Sequence, residues 1–172
     1  MEIKLSVNLT AKEMFNFMMK HTYSSMSGYI GLILSACALV GFVMTVANPQ
    51  VNLAYKIVLL ITALLFTVIQ PLTLYKKSKK QIEQNENINK PMEYKFTDAL
   101  IQISQAEEHV EYEWNQVIKV NSSKLCIFLY VSKYRAFIIP RRVFEGDEME
   151  QLRDMIRKNA TSAKSITFGR IY

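Results

Sequence analysis

Between positions 107 and 113 the chain places four carboxylates, Glu107, Glu108, Glu111 and Glu113. Paired carboxylates are the usual equipment of general acid–base catalysis. The last two, however, alternate with Val110, Tyr112 and Trp114, so the simpler reading is the wet face of a strand. The two histidines, His21 and His109, have no second ligand at metal-binding spacing. Five glycines include no phosphate-cradling loop. Cys37 and Cys126 lack a CxxC partner and read as small buried hydrophobes. The residues therefore predict a non-enzymatic protein, with no catalytic residue, no metal and no cofactor.

Two other constellations carry charge chemistry. "PRRVF", Pro140 to Phe144, sets Arg141 and Arg142 side by side, and guanidinium suits carboxylate and phosphate. With Trp114 they are the candidate partner-binding residues. The competing structural reading makes Pro140 a strand stop, Phe144 a packing residue and Trp114 part of a core. The second constellation is Lys76, Lys77, Lys79 and Lys80, directly after a long apolar run. Near an anionic leaflet such lysines contribute about 1 kcal/mol each, and they also act as a stop and orientation signal.

These residues need elements to hold them. Residues 28–47 form twenty positions without charge, about 30 Å of helix, which matches a hydrocarbon core. Residues 57–74 contain no ionisable group, and their twelve Ile, Leu, Val and Phe side chains favour insertion by about 4–7 kcal/mol. The expectation is a hairpin of two transmembrane helices over 28–75. Only one lysine lies in the connecting loop, against four after the second span, so both termini are expected on the cytoplasmic side. Tyr29, Tyr55 and Tyr75 fall at the expected water boundaries. Gly28, Gly31, Ser35 and Ala38 share one helical face, where small side chains admit another helix. Its partner is either the second span of the same chain or, in a homodimer, a second copy. Gln70 and Pro71 predict a kink.

Ahead of the hairpin, residues 1–27 read as a strand followed by an amphipathic helix. Ile3, Leu5, Val7 and Leu9 alternate with polar neighbours, and Thr10 with Glu13 has capping-box spacing. That helix lies either along the membrane interface or on the soluble domain. Behind the hairpin, 76–92 is a basic and then polar linker. Residues 93–160 alternate in short runs that predict strands at 93–97, 100–104, 109–114, 116–120, 125–131 and 135–139. A helix follows, with Asp147 at its N-cap and Met149, Leu152, Met155 and Ile156 on its buried face; 161–172 is a tail. Residues 93–160 are marginal for a self-sufficient core. Recruiting the Ile3–Leu9 strand across the hairpin would add a seventh strand and cover an edge.

This order, together with Trp114 followed by Val117–Ile118, the "FLYVSKYRAFIIPRRVF" stretch and the closing helix, resembles the YcxB-like membrane proteins. The resemblance is specific over residues 93–158. It implies a bacterial cell-membrane protein, multi-pass, with a cytoplasmic mainly-β domain of pleckstrin-homology-like (PH-like) fold and a C-terminal α-helix. It transfers no catalytic residue.

The net charge of +6 first suggests nucleic acid. Residues 81–172, however, hold thirteen Lys and Arg against thirteen Asp and Glu. A nucleic-acid-binding domain carries its charge on the folded part, so no nucleic-acid partner is expected. The expected function is presentation of a small cytoplasmic binding domain to lipid or protein partners, among them anionic lipid and other membrane proteins. The alternative is an accessory or self-protection (immunity-like) protein whose hairpin acts on a transporter or a pore-forming agent.

Overall fold

The computed structural model describes residues 2–84, 90–106, 108–133 and 135–168. Glu107, linker positions 85–89 and tail positions 169–172 lie outside the described residues. The chain forms two compact units: Met1–Phe17 with Lys79–Tyr172, and Met18–Ser78.

Among the described residues, the first unit holds eight strands, two 3-10 turns, the helix Glu148–Asn159, the start of the helix Ala11–Tyr23 and the end of the helix Gln70–Gln84. Strand β1 (Glu2–Val7) pairs antiparallel with β2 (Met92–Thr97), in register Ile3 to Phe96 and Leu5 to Tyr94. β3 (Leu100–Gln105) and β4 (Glu108–Glu113) complete a four-stranded sheet in the order β1-β2-β3-β4. The alternation in β1 decides its orientation: Ile3, Leu5 and Val7 are buried while Glu2, Lys4 and Ser6 face water. Helical periodicity is absent there, and a pairing slip of one residue would turn all three apolar side chains outward.

After β4 the chain leaves this sheet through a 3-10 turn, Trp114–Gln116. The turn takes the end of the predicted strand 109–114 and the start of the predicted strand 116–120. Its cause is a reciprocal cap: the Glu113 N–H donates to Gln116 Oε1 at 3.0 Å, and the Glu113 side chain accepts from the Gln116 backbone. The second sheet has the order β7-β6-β5-β8, from β5 (Lys119–Ser122), β6 (Cys126–Tyr130), β7 (Ala136–Pro140) and β8 (Ile166–Thr167). β8 lies in what the sequence presents as tail and pairs parallel to β5, Ile166 opposite Val120. Two residues are too few to leave a periodic signal.

Every residue of β6 is buried, because both faces of this strand are covered. Ile127 and Leu129 join the central core with Ile3, Phe96, Val120 and Ile139. On the opposite face Phe128 and Tyr130 meet the ring of Phe17, at 5.5 and 6.2 Å between centroids. Phe17 belongs to helix α1 (Ala11–Tyr23). The expected capping box opens this helix, with the Thr10 N–H donating to Glu13 Oε2 at 2.8 Å. Of the two positions open to this segment, its first part takes the β domain.

The central core is closed by a helix over Glu148–Asn159, whose Leu152, Met155 and Ile156 are buried. Asp147 precedes it without a side-chain cap. The Glu148 carboxylate instead accepts from the Glu145 N–H at 2.9 Å.

The second unit is helical. Helices α2 (Met26–Val46) and α3 (Leu53–Leu64) are joined by a short loop, and a π-helical turn, Leu65–Ile69, leads into α4 (Gln70–Gln84). The closing helix of the β domain, Glu148–Asn159, is thus α5. Two helices, Met26–Val46 and the continuous Leu53–Gln84, are long and apolar enough to cross a membrane. α4 runs on through the four lysines, where the sequence suggests a linker from position 76.

The loop is held by its own polar residues. Asn52 Oδ1 accepts from the Ala54 N–H at 2.8 Å. Lys56 Nζ donates to the Val46 and Asn48 carbonyls at 3.0 and 2.8 Å, satisfying acceptors left over at the end of α2.

Gly28, Gly31, Ser35 and Ala38 are the buried residues of α2. A Cβ on Gly31 would lie 2.3 Å from the Phe66 ring, and one on Gly28 would lie 2.2 Å from the Thr22 carbonyl oxygen. Ser35 Oγ donates to the Thr62 carbonyl at 3.1 Å. Within the chain, the second span thus covers Gly31 and Ser35, and the end of α1 covers Gly28.

The π turn has a definite cause. The Gln70 N–H reaches back five residues to the Leu65 carbonyl. The same spacing would pair the Phe66 carbonyl with residue 71, but Pro71 has no N–H. The hydroxyl of Tyr23 donates to Phe66 O instead. Replacing Tyr23 by Phe removes that donor and is expected to cost about 1 kcal/mol. Gly28→Ala meets backbone and is expected to cost more. Thermal unfolding of the full chain in detergent, read by circular dichroism at the helical signal, checks both.

Candidate functional site

Strand β7 ends at Pro140, and a 3-10 turn follows over Arg141–Val143. The proline closes the ladder opposite Cys126, and the Arg141 N–H donates to the Leu125 carbonyl at 2.8 Å. This fixes the backbone from which two consecutive arginines depart, and their side chains have different surroundings.

Arg142 turns to the N-terminal segment. Its Nε donates to Glu13 Oε1 at 2.7 Å and its Nη2 to Glu13 Oε2 at 3.3 Å, a side-on bidentate grip. Nη2 also donates to the Asn8 carbonyl at 2.5 Å. The Glu13 side chain is 8% exposed and that of Arg142 is 52% exposed. Burial pushes the Glu13 carboxyl up, but the hydrogen bonds from Arg142 and from Thr10 outweigh it and hold the group below its ordinary value. As a partner-binding residue Arg142 is thus already engaged, tying the helix that precedes the insertion to the strand end near the C-terminus.

Arg141 is placed differently. Its Nε and Nη2 are buried and have no hydrogen-bond acceptor among the described residues. Burial and the nearby positive charge of Arg153 depress its pKa. Arg153, on α5, is itself buried; its Nη1 donates to Glu150 at 3.1 Å and its guanidinium lies over the Phe168 ring at 5.2 Å. Cys126 borders the same corner, and burial pushes its thiol up to about 12, so it stays protonated at neutral pH.

Trp114 is a core residue, and the expectation that it meets a partner is corrected. It is 4% exposed, its ring lies 6.2 Å from that of Phe96, and Nε1 donates to the Thr97 carbonyl at 2.8 Å. An indole buried with its N–H satisfied has nothing left to offer a ligand. Glu108, Glu111 and Glu113 are exposed, and Gln102 Nε2 donates to Glu111 at 2.7 Å. His109 shares a 2.8 Å hydrogen bond with Ser104. No group of three or more metal-ligating side chains gathers among the described residues. Cys37 is exposed, because it lies on the face of α2 opposite the small-residue stripe, where the sequence suggests a buried thiol.

The remaining candidates stay at the surface of their helices. Lys76, Lys77, Lys79 and Lys80 are exposed on α4, and Lys79 pairs with Glu83 at 3.7 Å. Tyr29, Tyr55 and Tyr75 are each more than half exposed. Sequence reasoning missed Arg153 and Glu13. A mid-helix arginine and a capping glutamate look ordinary until the fold brings them to the end of β7.

The Glu13–Arg142 pair makes a pH prediction. Because the folded-state pKa of Glu13 is depressed, its stabilisation is complete at neutral pH. It declines as pH falls below the ordinary value of 4.5 and is gone once pH passes the folded-state value. Glu13→Gln is expected to lower stability at pH 7 by about 2 kcal/mol and to flatten the acid limb. Arg142→Met, which strands a buried carboxylate, is expected to cost more. Unfolding of the full chain in detergent across the acid range measures both.

With this geometry in hand, the relatives can be placed on it. Residues 96–156 match the model of the family described as YcxB-like protein. That segment runs from β2 to α5 and contains both Trp114 and the two arginines. The chain is 24% identical over 114 residues to a Bacillus subtilis (strain 168) protein named "Uncharacterized protein YcxB". The alignment covers 66% of this chain and 61% of that relative, so the match spans about three fifths of the relative's length. No solved structure matches the chain. The chain is thus similar to YcxB-like proteins over residues 96–156, the stretch around Trp114 and Pro140 included.

Proposed function

We propose that this chain is a non-enzymatic integral membrane protein. Its two apolar helices cross the bacterial cell membrane, and its PH-like β domain faces the cytoplasm and binds an anionic partner, lipid or protein.

The pairing of β1 with β2 carries this reading. Glu2–Val7 and Met92–Thr97 are hydrogen-bonded neighbours in one sheet, yet the whole helical unit lies between them in sequence. Chain on both sides of the insertion must then share one compartment, so an apolar insertion crosses a bilayer an even number of times. Two helices of sufficient length supply that number. Their outward faces suit lipid: Ile33, Val40, Val43, Val58, Ile61 and Leu72 are each more than half exposed. A water-soluble surface rarely tolerates such a patch. In hydrocarbon it has no penalty, and every helical backbone bond is satisfied internally. The lysines on α4, against one in the loop between α2 and α3, select the cytoplasm for the shared side.

Two sheets in succession, antiparallel apart from the β5–β8 pair and closed by a C-terminal helix, support the PH-like description. An action through the hairpin on a transporter or pore-forming agent draws on the small-residue stripe. That stripe already has an occupant within the chain, so binding is assigned to the β domain.

Single cysteines in a cysteine-free background test the topology. A membrane-impermeant maleimide on intact cells is expected to label Asn48→Cys, and to label Glu2→Cys and Lys80→Cys only after lysis. Labelling of the latter two from outside, or recovery of the chain in the soluble fraction without detergent, would remove this reading.

A further inference from the structure

β1 and β8 each lie at the edge of a sheet, and they are held very differently. β1 pairs through six residues, and its Ile3, Leu5 and Val7 are buried in the core. The segment after it is braced by the Glu13–Arg142 pair. β8 pairs through two residues, Ile166 opposite Val120 and Thr167 opposite Asn121; Ile166 is half-buried and Thr167 is exposed. A strand held by so short a ladder opens more readily than the sheet it joins.

What β8 covers is a ready seat for an extended chain. With β8 lifted away, β5 is a sheet edge whose backbone groups face outward. The Ile118 carbonyl accepts from the Lys164 N–H at 2.9 Å, and the Val120 N–H donates to the Ser165 carbonyl at 2.9 Å. An edge of this kind takes an extended segment through main-chain bonds, and the seats for its side chains decide which segment. Two such seats are present. Ile166 packs against the central core. Phe168 lies under two guanidinium groups of α5, with Arg153 at 5.2 Å and Arg157 at 5.6 Å from the ring centre. Residues two apart share a face of an extended chain. An aliphatic residue followed two positions later by an aromatic one therefore fits both seats.

We propose that the β5 edge beside α5 is a docking site for an extended segment of a partner protein, one that carries an aliphatic residue two positions before an aromatic one. Residues 165–168 are a strap that occupies the site until such a segment displaces them. The strap itself defines what the site accepts: extended backbone and two apolar side chains, which a lipid headgroup lacks. The site goes beyond the reading of the β domain as a binder of anionic partners. It is also independent of how the helical unit meets a membrane.

The test uses the full chain in detergent beside two variants that open the site. One ends at Ala163, and the other is of full length and carries Ile166→Ser with Phe168→Ser. The probe is a fluorescent synthetic peptide of residues 163–168, "AKSITF", with binding read by anisotropy. Hydrogen exchange at the Val120 N–H reports whether the edge is covered. Both variants are expected to bind the peptide and to regain protection at Val120 when they do. The full chain is expected to bind roughly tenfold or more weakly, because its tethered strap competes at high effective concentration. A peptide with serine at both apolar positions is expected not to bind.

The proposal is overturned if a variant that keeps a folded β domain fails to bind the peptide, or if binding ignores the two apolar side chains. It also falls if the full chain binds as tightly as the variants, because the peptide then sits somewhere other than under the strap. Loss of the folded β domain in both variants would make β8 a permanent strand like β1, which overturns it equally. A full chain that is dimeric, and becomes monomeric once the strap is removed, assigns the site to a second copy and overturns a partner protein as its occupant. The labelling pattern that tests membrane topology does not involve residues 163–168, so failure of this site leaves that reading standing.

Discussion

One ladder of hydrogen bonds, between β1 and β2, organises this protein. Six residues near the N-terminus complete a sheet whose remaining strands follow the helical unit. Ile3, Leu5 and Val7 supply part of the central core, so the β domain is incomplete without them. An insertion between adjacent strands is tolerated when its two ends lie close together, because closing even a long loop adds only slowly to the entropic cost. A hairpin of helices meets that condition. On the proposed membrane reading it would also return the chain to the side from which it left.

Inside the helical unit the governing constraint is close approach. Gly28 and Gly31 leave room for the Thr22 carbonyl and the Phe66 ring, and Ser35 adds a hydrogen bond to the Thr62 carbonyl. On the proposed membrane reading the hydrophobic effect would not draw these helices together, and packing of small residues with such polar contacts would do so. Pro71 disturbs the same region by withholding an N–H, and the helix answers with a π turn and a hydroxyl from Tyr23. This is the usual condition for proline in an apolar helix: the freed carbonyl finds a donor nearby.

The β domain shows how neighbouring residues of identical type acquire separate roles. Arg142 is a clamp, joining the turn after β7 to Glu13 and Asn8. Arg141, one position earlier, is part-buried near another cation. The chemistry of the two side chains is the same. What differs is whether the surrounding fold supplies a carboxylate, as it does for Arg142 through Glu13.

The local patterns of the chain were legible before any fold was known. Alternation marked β1 and most later strands, charge-free length marked the two long helices, and Thr10 with Glu13 marked a helix start. Small residues three and four apart marked the packed face of α2. Each of these is written in near neighbours, because backbone periodicity and capping act over a few residues. The tertiary structure decided the matters that depend on residues distant in sequence. It paired β1 with β2, laid Phe17 on β6, added β8 beside β5, and placed a 3-10 corner where the predicted strands 109–114 and 116–120 meet. It also buried Trp114 and gave Glu13 to Arg142 and not to Arg141. No local pattern encodes these choices, since each is settled by which surfaces and charges meet once the chain has folded back upon itself.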